Sequence, residues 1–290
     1  MSKSEALIRV VVAYIVALLS AIITVSFLDL GPLLMAIVMD VIGTLVIFGF
    51  GRYYGNSSFY DPYWSVVPPA MALFWMSVGS SGEVVLRELA VLGVIFYWAT
   101  RLTLNWAYFW EGMNHEDWRY EMLRNRAPKI AVLTDLVAIH LIPTTIVFMG
   151  MLPVFAVFIM GSSPFSWIDI LAVLVGVGAV SLQMISDFQL RAIAANKDSN
   201  ESLANGLWAW SRHPNYFGEL GFWLSLFLFG ISAHPSGWIW QILGVIGMTL
   251  MFLFASIPMM EKRSLERREG YQDVIDNVSM LIPLPPKRNS

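Results

Sequence analysis

The sequence contains no cysteine among its 290 residues. Disulfide bonds, cysteine-based catalysis and cysteine-based metal binding are therefore excluded. Charged residues are also scarce, at 13% of the chain against about 25% in a soluble domain. With 57% hydrophobic residues and a mean hydropathy of +0.63, the composition predicts a polytopic membrane protein. One membrane domain, residues 1–290, is enough to account for it, and we expect a lipid bilayer as its surroundings.

Motifs for soluble nucleotide-binding and metal-binding folds are absent as well. The sequence has no G-x-G-x-x-G after a strand, no Walker loop and no H-E-x-x-H. A nucleotide would therefore be bound without a Rossmann fold, and we expect no metal site and no nucleic-acid partner. No cleavable signal peptide is evident, because the first apolar run is long and is followed directly by another.

Hydrophobic runs recur at lengths that suit membrane-spanning helices, each of which needs about 20 apolar residues. We predict about eight spans, with seven as the alternative, because the third and seventh runs are short. The first run is the most easily mistaken, since it could be an interfacial helix. The predicted class is all-α, a polytopic membrane protein with no Rossmann domain. The predicted spans are about Leu7–Leu28, Gly31–Phe50, Trp64–Val78, Leu89–Trp110, Val132–Met160, Trp167–Leu190, Tyr216–Ser232 and Gly237–Pro258.

The distribution of Lys and Arg orients these spans. If eight spans alternate, one side receives sixteen of the 18 Lys and Arg residues, counting Arg9 in the first turn of the first span with the N-terminus. Arg101 lies inside a span, and the other side holds only Arg87. Cytosolic loops carry the excess of basic residues. Both termini are therefore predicted in the cytosol, with the inner or plasma membrane as the location in a bacterium. Residues 259–290 are expected to form a cytosolic amphipathic tail.

The stretch from Leu207 to Trp223, LWAWSRHPNYFGELGFW, places polar residues in an aromatic and apolar setting. Charged groups in such a setting are costly and are taken as functional by default. Pro214 interrupts the preceding structure and is suited to begin a new helix. The free N–H groups at the start of that helix, beside Arg212, His213 and Asn215, would form a seat for an anion.

The sequence R-H-P-N-Y-F-G-E at 212–219, followed by Trp223, resembles the C-terminal hallmark of the steroid 5-alpha-reductase family, including its bacterial membrane members. The shorter core R-H-P-x-Y-x-G is shared with sterol C14-reductases and isoprenylcysteine carboxyl methyltransferases, so Asn215 and Glu219 are what favour the reductases. The resemblance is strongest over the last two-thirds of the chain. It implies NADPH as the cofactor, and a reductase-like core in residues 51–258 that follows two N-terminal spans in residues 1–50.

The same resemblance assigns cofactor-binding residues. In the sixth predicted span, Ser-Asp followed by Leu-Arg matches a cofactor-contacting stretch of the reductases and assigns Asp187 and Arg191, with Gln183 one turn earlier on the same stripe. An ion pair between Asp187 and Arg191 is the structural alternative. The cofactor-binding residues implied by the resemblance are Gln183, Asp187, Arg191, Arg212, His213, Asn215, Tyr216, Glu219 and Glu261.

The resemblance also implies two catalytic residues. The reductases carry a Gln-Glu pair near the third predicted span, where this chain has Tyr60 and Asp61. They carry a catalytic Tyr shortly before an Arg, which matches Tyr97 and Arg101. Asp61 followed by Pro62 is equally typical of a helix start, with Asp as the N-cap. A Tyr in a span is often only an amphipathic anchor, so both alternatives stay open.

The fourth predicted span carries a polar face. Its residues Tyr97, Arg101, Asn105 and Tyr108 recur at helical spacing. An intramembrane Arg that faces lipid is costly, so we expect this face to look into a polar cavity. Arg101, Asn105 and Trp223 are the candidate residues of a substrate cavity, and an interhelical polar network is the alternative.

Together these features predict an NADPH-dependent reductase of a C=C bond conjugated to a ketone in a lipophilic substrate, such as a 4-ene-3-oxosteroid. NADPH would carry the hydride chemistry, and Asp61 or Tyr97 would donate to the oxygen on which enolate charge develops. An S-adenosylmethionine-dependent methyltransferase of a lipid, which would share the shorter motif, and a non-catalytic lipid- or sterol-binding protein are the alternatives. The sequence leaves the oligomeric state open.

Overall fold

The computed structural model describes residues 2–79, 86–195 and 205–286. Within these ranges the chain forms helices and no strand, which confirms the predicted all-α class without a Rossmann sheet. Residues 196–204, between the sixth and seventh predicted spans, and residues 287–290 of the predicted 259–290 tail lie outside the described residues. The helices are α1 Lys3–Ser26, α2 Pro32–Tyr54, α3 Tyr63–Gly79, α4 Leu86–Phe109, α5 Trp118–Arg126, α6 Pro128–Met160, α7 Trp167–Ala195, α8 Pro214–Ala233, α9 Pro235–Arg267 and α10 Tyr271–Asn277.

Among the described helices, seven are long and apolar enough to cross a membrane, namely all except α3, α5 and α10. Seven is the predicted alternative to eight. The first predicted span, α1, is among the seven, so the difference from eight does not arise at that position. The difference lies at the third predicted span, because α3 has 17 residues and contains Pro68 and Pro69. The seven apolar helices fit a multi-pass integral membrane protein in a lipid bilayer.

Short π-helical turns interrupt α6 and α9, and each lies beside a proline. A proline lacks the N–H that would bond the carbonyl four residues earlier, so the helical hydrogen-bond ladder must shift locally. For Pro143 and Pro258 the carbonyl four residues earlier lies within the wider turn, which accommodates the missing bond without ending the helix. Pro153 precedes its turn, so its missing bond does not explain that one. The turns are Asp135–Leu141, Ala156–Met160 and Phe252–Ser256, beside Pro143, Pro153 and Pro258 respectively.

The chain divides into two compact units, Met1–Gly161 and Ser162–Ser290. In the first unit, α1 packs against α2 through a stripe of small residues. Ala6 and Ala13 are buried, whereas Ile8 on the other face is 62% exposed. Small side chains let two helix backbones approach closely, and large apolar side chains on the outer face suit contact with lipid. The stripe continues into an aromatic cluster with Phe59, Tyr60, Tyr63 and Trp110.

Polar side chains buried in the first unit bond to one another. Tyr63 Oη donates to Asp40 Oδ1 at 3.2 Å. The hydroxyls of Tyr60 and Thr44 each share a hydrogen bond with Thr144 Oγ1, at 2.8 and 3.1 Å. Because a bilayer offers no water to satisfy such groups, internal pairing is required. These bonds fix the start of α3 against α2 and α6.

Helix α3 runs beside α6. Just before α3, Ser57 Oγ donates to Asp135 Oδ1 in the first part of α6 at 2.9 Å. At the other end of α3, a Cβ built on Gly79 would lie 2.2 Å from the carbonyl oxygen of Phe158, near the end of α6. Residues 57–79 therefore cover the same distance as residues 135–158 of a helix that is long enough to span the bilayer.

In the second unit, α7 and α8 approach each other where glycines replace side chains. A Cβ built on Gly218 would lie 2.8 Å from the Ala179 carbonyl oxygen and 2.7 Å from Gln183 Cγ. A Cβ on Gly221 would lie 2.8 Å from Ala179 Cβ. Only glycine permits an approach this close. Gly218 is the glycine of R-H-P-x-Y-x-G, so one position of the motif is explained by helix packing.

We expect Gly218→Ala to destabilise the second unit by about 1–3 kcal/mol, because the added methyl overpacks a backbone contact. Thermal unfolding of the purified protein in detergent measures this as a lower midpoint. Gly178→Ala is the matched control, since Gly178 lies in α7 with nothing within 4 Å of a built Cβ. Equal midpoints for the two variants would contradict the close packing of α7 and α8.

Candidate functional site

The R-H-P-N-Y stretch forms the turn that enters α8. Pro214 is the first residue of the helix, where its missing N–H costs no helical hydrogen bond. The backbone N–H of His213 donates to Ser211 Oγ at 3.1 Å, which fixes the turn from within. The helix thus restarts at the proline, and the turn presents Arg212 and His213 immediately before it.

The guanidinium of Arg212 joins three parts of the second unit. Its Nε donates to Glu261 Oε1 of α9 at 2.7 Å, and its Nη1 donates to the carbonyl oxygens of Ile275 and Val278 at 2.8 and 2.6 Å. The side chain is only 9% exposed. The planar fork of an Arg is suited to such multiple, directional bonds. Arg212 therefore links the turn at 211–214, called the motif turn below, to α9 and to residues 271–284, called the C-terminal segment.

Further bonds hold the C-terminal segment against the same turn. The N–H of Arg212 donates to the Ser279 carbonyl at 2.8 Å, and Ser211 Oγ donates to the Leu281 carbonyl at 2.8 Å. The N–H of Leu284 donates to the carbonyl of Trp210 at 2.9 Å. The segment after α10 therefore lies along the motif turn. Sequence reasoning missed this contact, because neither a motif nor a hydrophobic period shows which loop an extended segment will meet.

Three rings lie parallel at the entry to α8. His213 and Tyr216 stack with centroids 5.4 Å apart and an interplanar angle of 10°, and Tyr216 stacks on Phe252 at 4.6 Å and 9°. His213 Nε2 lies 3.2 Å from Glu261 Oε1, the oxygen that Arg212 also contacts. The structure thus brings together four of the expected cofactor residues, and it adds Phe252, which the sequence did not single out.

Asn215 and Asp187 meet where α8 begins beside α7. Asn215 Nδ2 lies 3.5 Å from Asp187 Oδ1, and Asn215 Oδ1 accepts a hydrogen bond from the N–H of Tyr216 at 3.0 Å. Both side chains are half-buried, so a ligand can reach them. Arg191, one turn beyond Asp187, is also half-buried and places its guanidinium carbon 6.0 Å from the Phe188 ring centroid.

Three other expected site residues lie inside the second unit. Gln183 and Trp223 are each 1% exposed and Glu219 is 7% exposed. Trp223 Nε1 donates to Glu219 Oε1 one turn earlier at 2.9 Å. These residues pack within the α7 and α8 region beneath the motif turn. Their expected contacts with cofactor or substrate stay predictions.

In the first unit, Asp61 lies in the turn that precedes α3. Its Oδ1 accepts a hydrogen bond from the phenol of Tyr120 in α5 at 2.5 Å. Burial raises the pKa of Asp61 to about 6, and the Tyr120 bond opposes that rise. Because α3 begins at Tyr63, Asp61 does not stand directly before the first helical residue, where an N-cap belongs. The capping alternative is therefore not met by this geometry, and the catalytic role of Asp61 stays a prediction.

The polar face of α4 is partly enclosed. Tyr97, Arg101 and Asn105 are each half-buried in the first unit, whereas Tyr108 is 75% exposed. Tyr108 therefore does not share the enclosure of the other three. The roles of Tyr97 in catalysis and of Arg101 and Asn105 in a substrate cavity stay predictions.

A charged cluster in the first unit was missed by the sequence analysis. We call it the Arg124 cluster: Arg124 pairs with Glu116 and donates to Asp135 Oδ1 at 3.2 Å, and Ser57 bonds both carboxylates. The Asp135 side chain is 1% exposed. A buried carboxylate requires partners of this kind. The sequence contained one sign of this cluster: Asp135 lies inside the fifth hydrophobic run, and an acid in such a place indicates a basic partner nearby.

We expect Arg212→Ala to release the C-terminal segment, because it removes one ion pair and two bonds to carbonyls. Proteinase K should cleave within residues 271–284 about tenfold faster or more, since local opening governs cleavage. Mass spectrometry of the fragments locates the cut. Arg268→Ala, which removes an exposed arginine of the same region, is the control. Equal cleavage rates in both variants would show that Arg212 does not hold this segment.

Comparison with known proteins gives a relative and a family. An uncharacterized protein of Schizosaccharomyces pombe (strain 972 / ATCC 24843) is 26% identical over 284 residues, which cover 89% of this chain and 81% of the relative. No solved structure matches the chain. A family model matches residues 47–278, a range that contains the motif turn, Glu261 and the Asp61–Tyr120 pair. The match covers well over half of the chain, so the protein belongs to the family described as "Protein of unknown function (DUF1295)".

Proposed function

We propose that the protein is an integral-membrane, NADPH-dependent reductase of a C=C bond conjugated to a ketone in a lipophilic, 4-ene-3-oxosteroid-like substrate. The family includes steroid 5-alpha-reductase-like proteins, which supports reductase activity. The R-H-P-N-Y-F-G-E resemblance supports the same class. The observation that carries the proposal is the arrangement at the entry to α8. There the parallel rings of His213 and Tyr216 flank Asn215 in sequence, and the half-buried side chain of Asn215 meets that of Asp187.

The residues at the entry to α8 fit a nucleotide cofactor. Asn215 and Asp187 offer an amide and a carboxylate for polar groups of NADPH, and the rings of His213 and Tyr216 offer flat apolar surface. The start of α8 favours negative charge, as phosphates require. Arg212 fits a phosphate contact less well, because three of its five N–H donors already serve Glu261 and two carbonyls. Arg191, half-buried one turn beyond Asp187, is the other basic residue proposed for this contact.

When bound, NADPH supplies hydride to the β carbon of the enone. The chain's own task is at the ketone oxygen, where negative charge develops and needs a donor. Protonated Asp61 serves this purpose, since burial keeps the pKa of its carboxyl near 6. The Tyr97 hydroxyl is the other candidate donor. Turnover that depends on protonated Asp61 falls as the pH rises through about 6.

We expect the purified protein to bind NADPH and to oxidise it in the presence of a suitable enone, followed as loss of absorbance at 340 nm. Asn215→Ala should weaken NADPH binding about tenfold or more, because the side-chain amide that is proposed to bond the charged cofactor is lost. The variant leaves the Arg212 contacts intact. Asn125→Ala, at an exposed position of α5, is the control.

A thermal shift with S-adenosylmethionine and none with NADPH would overturn the reductase proposal in favour of a methyltransferase. NADPH binding without consumption across a panel of steroid, quinone-like and isoprenoid enones would point instead to a non-catalytic binding protein.

Both termini are proposed to lie in the cytosol. The placement of residues 57–79 beside residues 135–158 supports α3 as an eighth crossing, since both segments cover the same distance. An even number of crossings returns the two termini to one side, and the excess of basic residues supports the cytosol as that side. Reporter fusions at residues 1 and 290 should therefore report the same cytosolic side. Opposite sides would mean that α3 does not cross.

A further inference from the structure

Asp61 has a partner that the sequence does not single out. Tyr120 Oη donates to Asp61 Oδ1 at 2.5 Å, so one of the two carboxyl oxygens is already engaged. A proton that Asp61 transfers must then leave from the other oxygen, Oδ2. The phenol goes on donating to the carboxylate that remains, and a hydrogen bond to the charged form favours that form.

The helix that carries Tyr120 is held by the Arg124 cluster. Tyr120 and Arg124 are one turn apart on α5 and share a face. Arg124 Nη1 donates to Asp135 Oδ1, which also accepts a hydrogen bond from Ser57 Oγ. Ser57 lies four residues before Asp61, so both side chains of α5 reach the same turn. The position of the Tyr120 phenol is therefore fixed by its own bond to Asp61 and by the contacts of Arg124 one turn later.

The start of α5 is fixed as well. Asp117 caps the helix by accepting a hydrogen bond from the N–H of Arg119 at 2.8 Å. The N–H of Ser57 donates to Glu116 Oε1 at 2.7 Å, and Glu116 in turn pairs with Arg124. Both ends of the segment 116–124 are thus held against the turn at Ser57.

We propose that Tyr120 is a positioning residue for Asp61, which it orients and whose carboxylate it stabilises when the Oδ2 proton is donated. The proposal rests on the proposed reductase function. The O–H bond at Asp61 Oδ2 breaks and an O–H bond forms at the ketone oxygen as hydride adds to the β carbon, which gives an enol. The enol proton returns to Asp61, and a proton from solvent adds to the α carbon. The C=C bond is thereby reduced, and the hydride donor is oxidised.

Among the described residues, the charged and titratable groups that face Asp61 come from two elements besides its own. Tyr14 of α1 faces it, and from the α5 segment Asp117, Arg119 and Tyr120 do so. Burial raises the pKa of Tyr120 well above its ordinary value, so the phenol keeps its proton throughout the range in which Asp61 titrates. Removal of the Tyr120 hydroxyl must therefore raise the pKa of Asp61, since a bond that favours the carboxylate is lost.

The test is Tyr120→Phe, with the titration of Asp61 followed by carboxyl infrared difference spectra referenced to Asp61→Asn. The measurement uses the full chain without NADPH or substrate. We expect the Asp61 titration to move upward by about one pH unit or more, the scale of a hydrogen bond to a charged group. Tyr53→Phe, at a position that is 83% exposed, should leave the titration unchanged.

Turnover gives a second readout. In Tyr120→Phe the maximal rate should fall, while the loss of rate with rising pH should begin at a higher pH than in the parent protein. Asp61→Asn should lose about 10²-fold in turnover or more, the scale of a general acid. A purely structural Tyr120 would lower the rate without moving the pH profile.

The outcomes separate the two proposals. An unmoved Asp61 titration in Tyr120→Phe overturns the role of Tyr120, whatever the protein reduces. A moved titration in a protein that never consumes NADPH supports the Tyr120–Asp61 coupling and counts against the reductase. If Tyr120→Phe does not fold, Arg124→Lys loosens α5 and should move the titration in the same direction. Arg126→Lys, on an exposed position of the same helix, is its control, and equal titrations in these two variants would overturn the proposal.

Discussion

A bilayer supplies no water, so the polar groups of this chain must satisfy one another. The backbone meets this requirement by forming helices, and the buried side chains meet it in pairs. Tyr63 bonds Asp40, and Tyr60 and Thr44 share Thr144. These pairs fix where α3 enters between α2 and α6, and so they determine where the turn that carries Asp61 can lie.

In the second unit, several buried polar groups are satisfied around one carboxylate, that of Glu261. Glu261 Oε1 contacts both Arg212 and His213, while Arg212 reaches on to two carbonyls of the C-terminal segment. A guanidinium that is 9% exposed cannot be left without acceptors. The C-terminal segment provides them, and as a result it lies along the turn that opens α8.

This arrangement gives a physical reason for most of the R-H-P-x-Y-x-G motif. Arg212 bonds the motif turn to α9 and to the C-terminal segment, and Pro214 is the first residue of α8. Gly218 has no side chain, which allows α7 to pack closely against α8. His213 and Tyr216 form the ring stack. These roles build a surface at a helix entry but do not define a reaction. That explains why the short motif alone is compatible with a reductase and with a methyltransferase. The chemistry must be decided by other groups, and Asp61, which Tyr120 contacts, is the group we propose for proton transfer.

The sequence by itself determined the helical class, the membrane setting and the helix restart at Pro214, because these follow from hydropathy and local backbone chemistry. It also marked Asp61, Asp187, Arg212 and Asn215 as polar residues in costly places. Only the tertiary structure decided which of them meet. Tyr120 lies 59 residues from Asp61 in the chain and Glu261 lies 49 from Arg212, and no local period encodes such separations. The extent of α3 was predicted from hydropathy, but its position was not: only the tertiary structure aligns residues 57–79 with residues 135–158 of α6.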